Sequence, residues 1–155
     1  MNIKKYIIDH KDLDNVRLLS TWKWLIGEDK EIMIVTKMGD LLLKDPSDVL
    51  YFLSTGEGSL EHVSNYSNDF FTNKLSAEQY FEIFQPELIE DLEQDGKELK
   101  KGQVYGFLTL PVMGGKNVAT NITCREIYKH FKLTGEIHQQ IDELPEGESL
   151  EIKMD

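Results

Sequence analysis

A chain of 155 residues, 40% hydrophobic and 29% charged, has room for one domain with a real core and lies outside the compositional range of disordered proteins. Seventeen Lys and Arg stand against 28 Asp and Glu, a formal charge of −11 that repels nucleic acid and anionic membrane. This acid excess serves solubility, or it forms a face made for a basic protein partner. No apolar run is long enough to span a bilayer, and the N-terminal "MNIKKYIIDHKDLD" has too short an apolar stretch for a signal peptide. The single cysteine, Cys124, excludes an intramolecular disulfide and fits a reducing compartment, so a cytoplasmic location is expected.

The first helix is expected over "DLDNVRLLSTWKWLIG". Asp12 would cap it, Leu13, Val16, Leu19, Trp22 and Ile26 would share a face, and Gly27 would end it. Trp22 and Trp24 stand about 200° apart on such a helix and cannot both lie on that stripe. The period then changes to short apolar runs, "EIMIVT" (31–36), "DLLLK" (40–44), "DVLYFLS" (48–54) and "SLEHVS" (59–64). The turn formers "KMGD", "DPSD" and "TGEG" separate them, which predicts an antiparallel meander.

Helical signals return with "SNDFFTNKL", which would turn Phe70, Phe71 and Leu75 inward, and "SAEQYFEIF", where Ser76 and Gln79 have capping-box spacing. Pro86 and Gly96 bound the next helix, "PELIEDLEQDG", which buries Leu88, Ile89 and Leu92 and shows Glu87, Glu90, Asp91, Glu93 and Asp95 to water. "GQVYGFLTLPVMGG" (102–115) reads as a strand, "KNVATNI" as another, and "TCREIYKHF" as a helix with Thr123 and Glu126 in a capping box. "EIHQQIDEL" forms a final helix, and the tail "PEGESLEIKMD" ends in an edge strand. The whole reads as a single α+β domain, residues 1–155, with an antiparallel β-meander sheet and helices packed on one face.

Catalytic signals are weak. Cys124 falls on the apolar stripe Cys124, Ile127, Tyr128, Phe131, where a buried structural thiol is expected, although a helix N-terminus would favour its thiolate. His10, His62, His130 and His138 share no metal-ligand spacing. "DPSD" lacks the alternating ligands and the glycine of a calcium loop, and neither a nucleophile elbow nor a Walker sequence is present. The glycines of "GQVYGFLTLPVMGG" lead into a β-prone run with no helix start to receive a phosphate, so Gly106 marks a bulge or a close backbone approach. No catalytic residue, cofactor or metal site is assigned.

Two blocks carry a family resemblance. "GDLLLKDPSDVLYFLSTGEGSLEHVSNYSNDFF" has a Gly-Asp leading into a strand, a hairpin strand ending in a Thr-Gly turn, and an "SNDF" phrase opening a helix. "LKKGQVYGFLTLPVMGGKNVATNI" has a "GQxYGF" strand followed by a Gly-Gly. In this order, over about residues 20–142, they resemble the C-terminal domain family of type VI secretion DNase-immunity proteins. They are more loosely similar to the yeast cell-wall-regulator-like (SUKH) immunity superfamily. The resemblance implies a non-enzymatic immunity protein that binds a cognate toxin, a basic nuclease being one such partner, in the cytoplasm of the producing cell. It also implies that Gly39, Asp40, Gly102, Tyr105, Gly106, Phe107, Gly114 and Gly115 are scaffold. The partner-binding residues are expected among the surface acids: Glu87, Glu90, Asp91, Glu93 and Asp95 on one helix, then Asp45, Asp48 and Glu57 at hairpin tips. The alternative function is a ligand-binding or adaptor module with an apolar pocket between sheet and helices.

Overall fold

The computed structural model describes residues 2–65, 67–70 and 75–145. Five antiparallel strands, β1 (Ile7–Ile8), β2 (Glu31–Thr36), β3 (Leu41–Lys44), β4 (Leu50–Ser54) and β5 (Ser59–Ser64), pair strictly in chain order. The expected α+β meander is therefore formed, with β1 as an added edge strand that its two isoleucines did not announce. Leu41, Leu42 and Leu43 are all fully buried, so β3 sends apolar side chains to both sides of the sheet.

Both faces are accordingly covered. On one side Ile34, Leu42, Leu50 and Phe52 pack against α4 (Ala77–Phe84) and α5 (Pro86–Gln94), which follow the short turn α3 (Ser67–Asp69). On the other, Ile32, Val35, Leu41, Leu43 and Leu53 meet α1 (Asn15–Leu19), α2 (Lys23–Ile26) and α6 (Ile127–Glu143). A separate hairpin, β6 (Gln103–Phe107) with β7 (Ile122–Glu126), is tied to the β2–β3 turn by the bond from Tyr105 N to Lys37 O, 2.8 Å.

The N-terminal helix departs from its expected form. Asp14, not Asp12, caps α1 by accepting from Arg17 N. A 3-10 turn at Ser20–Trp22 then separates α1 from α2. Tightening the turn rotates the stripe: Val16 is 76% exposed, while Leu18 takes a core position. The cause is docking on α6, where Phe131 O accepts from both Thr21 Oγ1 (2.9 Å) and Trp22 Nε1 (3.1 Å). Trp24 then stacks on Trp22, with ring centroids 6.0 Å apart.

The second departure is at residues 116–126. The strand expected over "KNVATNI" is absent up to Asn121, where Ala119–Asn121 form a 3-10 turn. Residues 123–126, expected to open a helix, join Ile122 in β7, because β6 offers an open ladder that all five residues fill, from Gln103↔Glu126 to Phe107↔Ile122. Cys124 is thus on a strand, and Glu126 caps α6 from outside by accepting from Lys129 N at 2.7 Å. The two helices expected after it are one. Phe71 and the tail strand in "PEGESLEIKMD" lie outside the described residues.

Within α6, Gly135 sits against the 3-10 turn: a Cβ there would lie 2.7 Å from the backbone oxygen of Thr21. Alanine normally stabilises a helix interior by up to about 1 kcal/mol relative to glycine. At this position Gly135→Ala is expected to destabilise, by roughly 1–3 kcal/mol, because backbone must move to admit the methyl group. A urea midpoint that rises in the variant would refute the close approach.

Candidate partner-binding cleft

Glycine-bearing turns join β2 to β3 and β4 to β5, and a buried polar network holds the two together. Gly39 at φ 74° lets the first turn close, and it delivers Asp40 to the start of β3. Asp40 Oδ1 accepts from Thr55 N at 2.8 Å and lies 3.0 Å from Thr55 Oγ1. Two histidines of α6 complete the arrangement. His130 Nε2 lies 2.9 Å from Gly39 O and 3.0 Å from Thr55 Oγ1, and His138 Nε2 lies 2.9 Å from Thr55 O. A carbonyl can only accept, so both rings carry a proton on Nε2.

Burial dominates the electrostatics here. It pushes the Asp40 carboxyl up to about 7, with Glu57 adding repulsion and the Thr55 bonds opposing. Burial also holds His130 down, at about 4, against the bond to Gly39 and with Arg125 adding to the effect. Arg125 and His130 both press on Gly106, where a Cβ would meet Arg125 Nη1 at 2.6 Å and His130 Nδ1 at 2.9 Å. The close approach expected at Gly106 is therefore present.

Outside this network the β4–β5 turn forms one wall of a cleft of about 380 Å³. Glu57, Ser59 and Glu61 come from the turn and β5, Phe81 and Glu82 from α4, and Phe107 from the end of β6. Asp40, only 5% exposed, lies at its floor. The remaining wall is the loop after β6, where Asn121 knits the chain by accepting from Thr109 N and donating to Thr109 O and Lys116 O. Asn117 Nδ2 bonds Gln85 Oε1 at 2.7 Å, fastening that loop to the α4–α5 junction. Gln85 makes the junction by taking the left-handed conformation at φ 47°, ahead of Pro86 at the first position of α5.

A shallower groove continues past Phe81, Gln85 and Asn117 to Glu87, Leu88, Asp91 and Val118. Among the described residues, those lining cleft and groove include Asp40, Glu57, Glu61, Glu82, Glu87 and Asp91, and no Lys, Arg or His. Among the described residues no three His, Cys, Asp or Glu are placed to hold a metal ion, and no helix is long and apolar enough to cross a membrane.

The acids singled out in the sequence are thus distributed over several places. Glu57, Glu87 and Asp91 meet on this surface. Glu90 is engaged by Tyr6 OH and Lys5 Nζ, and Glu93 lies half-buried 4.0 Å from Lys37 Nζ. Asp95 is exposed just past the end of α5. Asp45 and Asp48 sit in the β3–β4 turn, at the other end of β4 from Glu57. There Asp45 accepts from Ser47 N and Val49 N, and Asp48 from Ser67 Oγ. Sequence reasoning missed Glu61, Glu82 and the two histidines. The signal for the histidines was their spacing of eight along one helix, which returns to nearly the same side after two turns.

Residues 65–138 match the family model described as T6SS immunity protein Tdi1, C-terminal, which bears out the family resemblance; the matched segment holds the second sequence block and only the end of the first. No curated protein matches the chain. Among solved structures it is similar to "Crystal structure of Atu4351 from Agrobacterium tumefaciens", at 12% identity and a TM-score of 0.52. The match covers 77% of this chain and 63% of that one, so this chain spans less than two thirds of that protein's length, and the likeness is one of fold.

Proposed function

We propose that this chain, whose residues 65–138 match the C-terminal domain of a type VI secretion immunity protein, neutralises a cognate toxin by binding it and performs no reaction of its own. The observation that carries the reading is the coincidence of that match with a surface of one charge sign. Among the described residues the cleft and groove present six carboxylates and no cation, and α4, α5 and the loop after β6 all lie inside the matched segment. A basic nuclease is the partner class such a surface fits, since an active-site cleft built for phosphate carries the complementary charge. Action in the cytoplasm of the producing cell is part of the same proposal.

The test is co-expression with the toxin-like protein encoded next to this chain. Growth of the host should be rescued, and the two proteins should purify as a complex. The complex should weaken about tenfold or more between low and physiological salt, as steered, charge-dominated association does. A host that still dies, with no complex formed, removes the immunity reading. A complex indifferent to salt removes its electrostatic part.

A further inference from the structure

Among the described residues four carboxylates line the cleft between the β4–β5 turn and α4, and no cation lines it beside them. Three of them, Glu57, Glu61 and Glu82, are exposed. The fourth differs. Asp40 is 5% exposed, and the hydrogen bonds its carboxyl accepts both arrive at Oδ1, from Thr55. Its Oδ2 has no partner among the described residues, at the floor of a water-accessible cleft. That oxygen faces the cleft, where a partner's N–H would take the place of water as its donor.

The walls add a second constraint. Phe52, Phe81 and Phe107 line the same space as the acids. A planar cation can satisfy both at once, stacking on an aromatic face while its N–H groups reach carboxylates in pairs. The volume, about 380 Å³, suits one or two side chains and not a folded element. Phe81, 50% exposed, lines the cleft, and Val118, 44% exposed, lines the groove that continues from it, apolar surface of the kind that excludes water from a central charged anchor. We infer that this cleft is the anchor point for an arginine side chain projected by the protein partner, with Asp40 and the three glutamates as its acceptors. The inference rests on the immunity reading for the identity of the partner, and on the cleft alone for the chemistry.

The probe is an N-acetylated, C-amidated tetra-arginine peptide titrated into ¹⁵N-labelled protein at low salt, beside the isosteric tetra-citrulline peptide. The arginine peptide should shift the amides of Gly56, Glu57, Phe81, Glu82 and Gly115, and the citrulline peptide should bind at least tenfold more weakly. The triple variant Glu57→Gln, Glu61→Gln, Glu82→Gln should lose tenfold or more. A charge-matched control, Asp12→Asn, Glu28→Gln, Asp142→Asn, should bind as the parent does, with thermal melts showing both variants folded. Equal weakening in the control would mean a diffuse field and would overturn the site. So would shifts centred elsewhere, equal binding of citrulline, or the same shifts from magnesium or calcium chloride alone. In the co-expression assay, a triple variant that protects as well as the parent sinks the anchor while immunity stands. Failure of the parent to protect sinks immunity and leaves the peptide result to be judged separately.

Discussion

Replacing Asp40 by Asn is expected to make the protein more stable, by an amount that grows with pH and reaches as much as about 4 kcal/mol near neutrality. The folded Asp40 carboxyl titrates at about 7, against 3.8 for an unburied one, so the native state binds this proton more tightly than the unfolded chain. The group therefore subtracts nothing below pH 3.8 and subtracts progressively more up to about 7. His130 works in the opposite sense. Its folded value of about 4 lies below the ordinary 6.5, so the stability it leaves intact above pH 6.5 is lost as pH falls toward 4. The two slopes oppose each other across the same interval. Asp40→Asn removes one and leaves the other, so the difference between variant and parent should widen from pH 4.5 to 7.5 in urea titrations. Parallel profiles would show that Asp40 ionises normally. The same ledger gives the cleft its bias: a guanidinium beside Asp40 would favour the carboxylate that burial disfavours.

Trp22→Ala should be the most damaging single truncation, at roughly 3–5 kcal/mol. The ring is fully buried, stacks on Trp24, lies 5.7 Å from the His138 ring centroid, and donates from Nε1 to Phe131 O. Truncation opens a cavity between the 3-10 turn and α6 and removes a side-chain donor from a backbone oxygen. It also frees one face of His138, whose Nε2 holds the β4–β5 turn. Guanidinium unfolding at pH 7 measures the first effect. Loss of arginine-peptide shifts in protein still folded would report the second. A variant within 1 kcal/mol of the parent, well under the range for buried aromatics, would contradict the packing described.

The meander was legible because its strands are short apolar runs and its turns carry Gly, Pro and Asp at the positions that need them. The boundaries of β2 and β5 were read to the residue. The 122–126 segment was not legible, because a capping-box pattern and an apolar stripe are local signals, while strand β6 supplies its pairing from twenty residues away. Asp12 was expected as the cap of the first helix and Asp14 takes that place, while Thr21 and Trp22 dock the chain on α6. The site was half visible. Glu57 stood out as a hairpin-tip acid, but Glu61 sits in an ordinary strand pattern and Glu82 on an ordinary helix face, and only the fold brings them together. The Gly39–Asp40 phrase was read as scaffold. It does meet Thr55 in a structural joint, and that joint is also the cleft floor.

The walls of the cleft come from two stretches of chain with different standing. Glu57 and Glu61 precede the segment that matches the family, and Phe81, Glu82 and Phe107 fall within it. An excised 65–138 fragment would hold β6 and β7 but none of β1 to β5, so α4 and α5 would have no sheet to cover. On the proposed reading, recognition is a property of the seam between the two stretches. Changing the hairpin tip alone alters what the cleft accepts and leaves the opposite wall untouched, so partner preference can be retuned by a few residues at Thr55–Glu61 without rebuilding the domain.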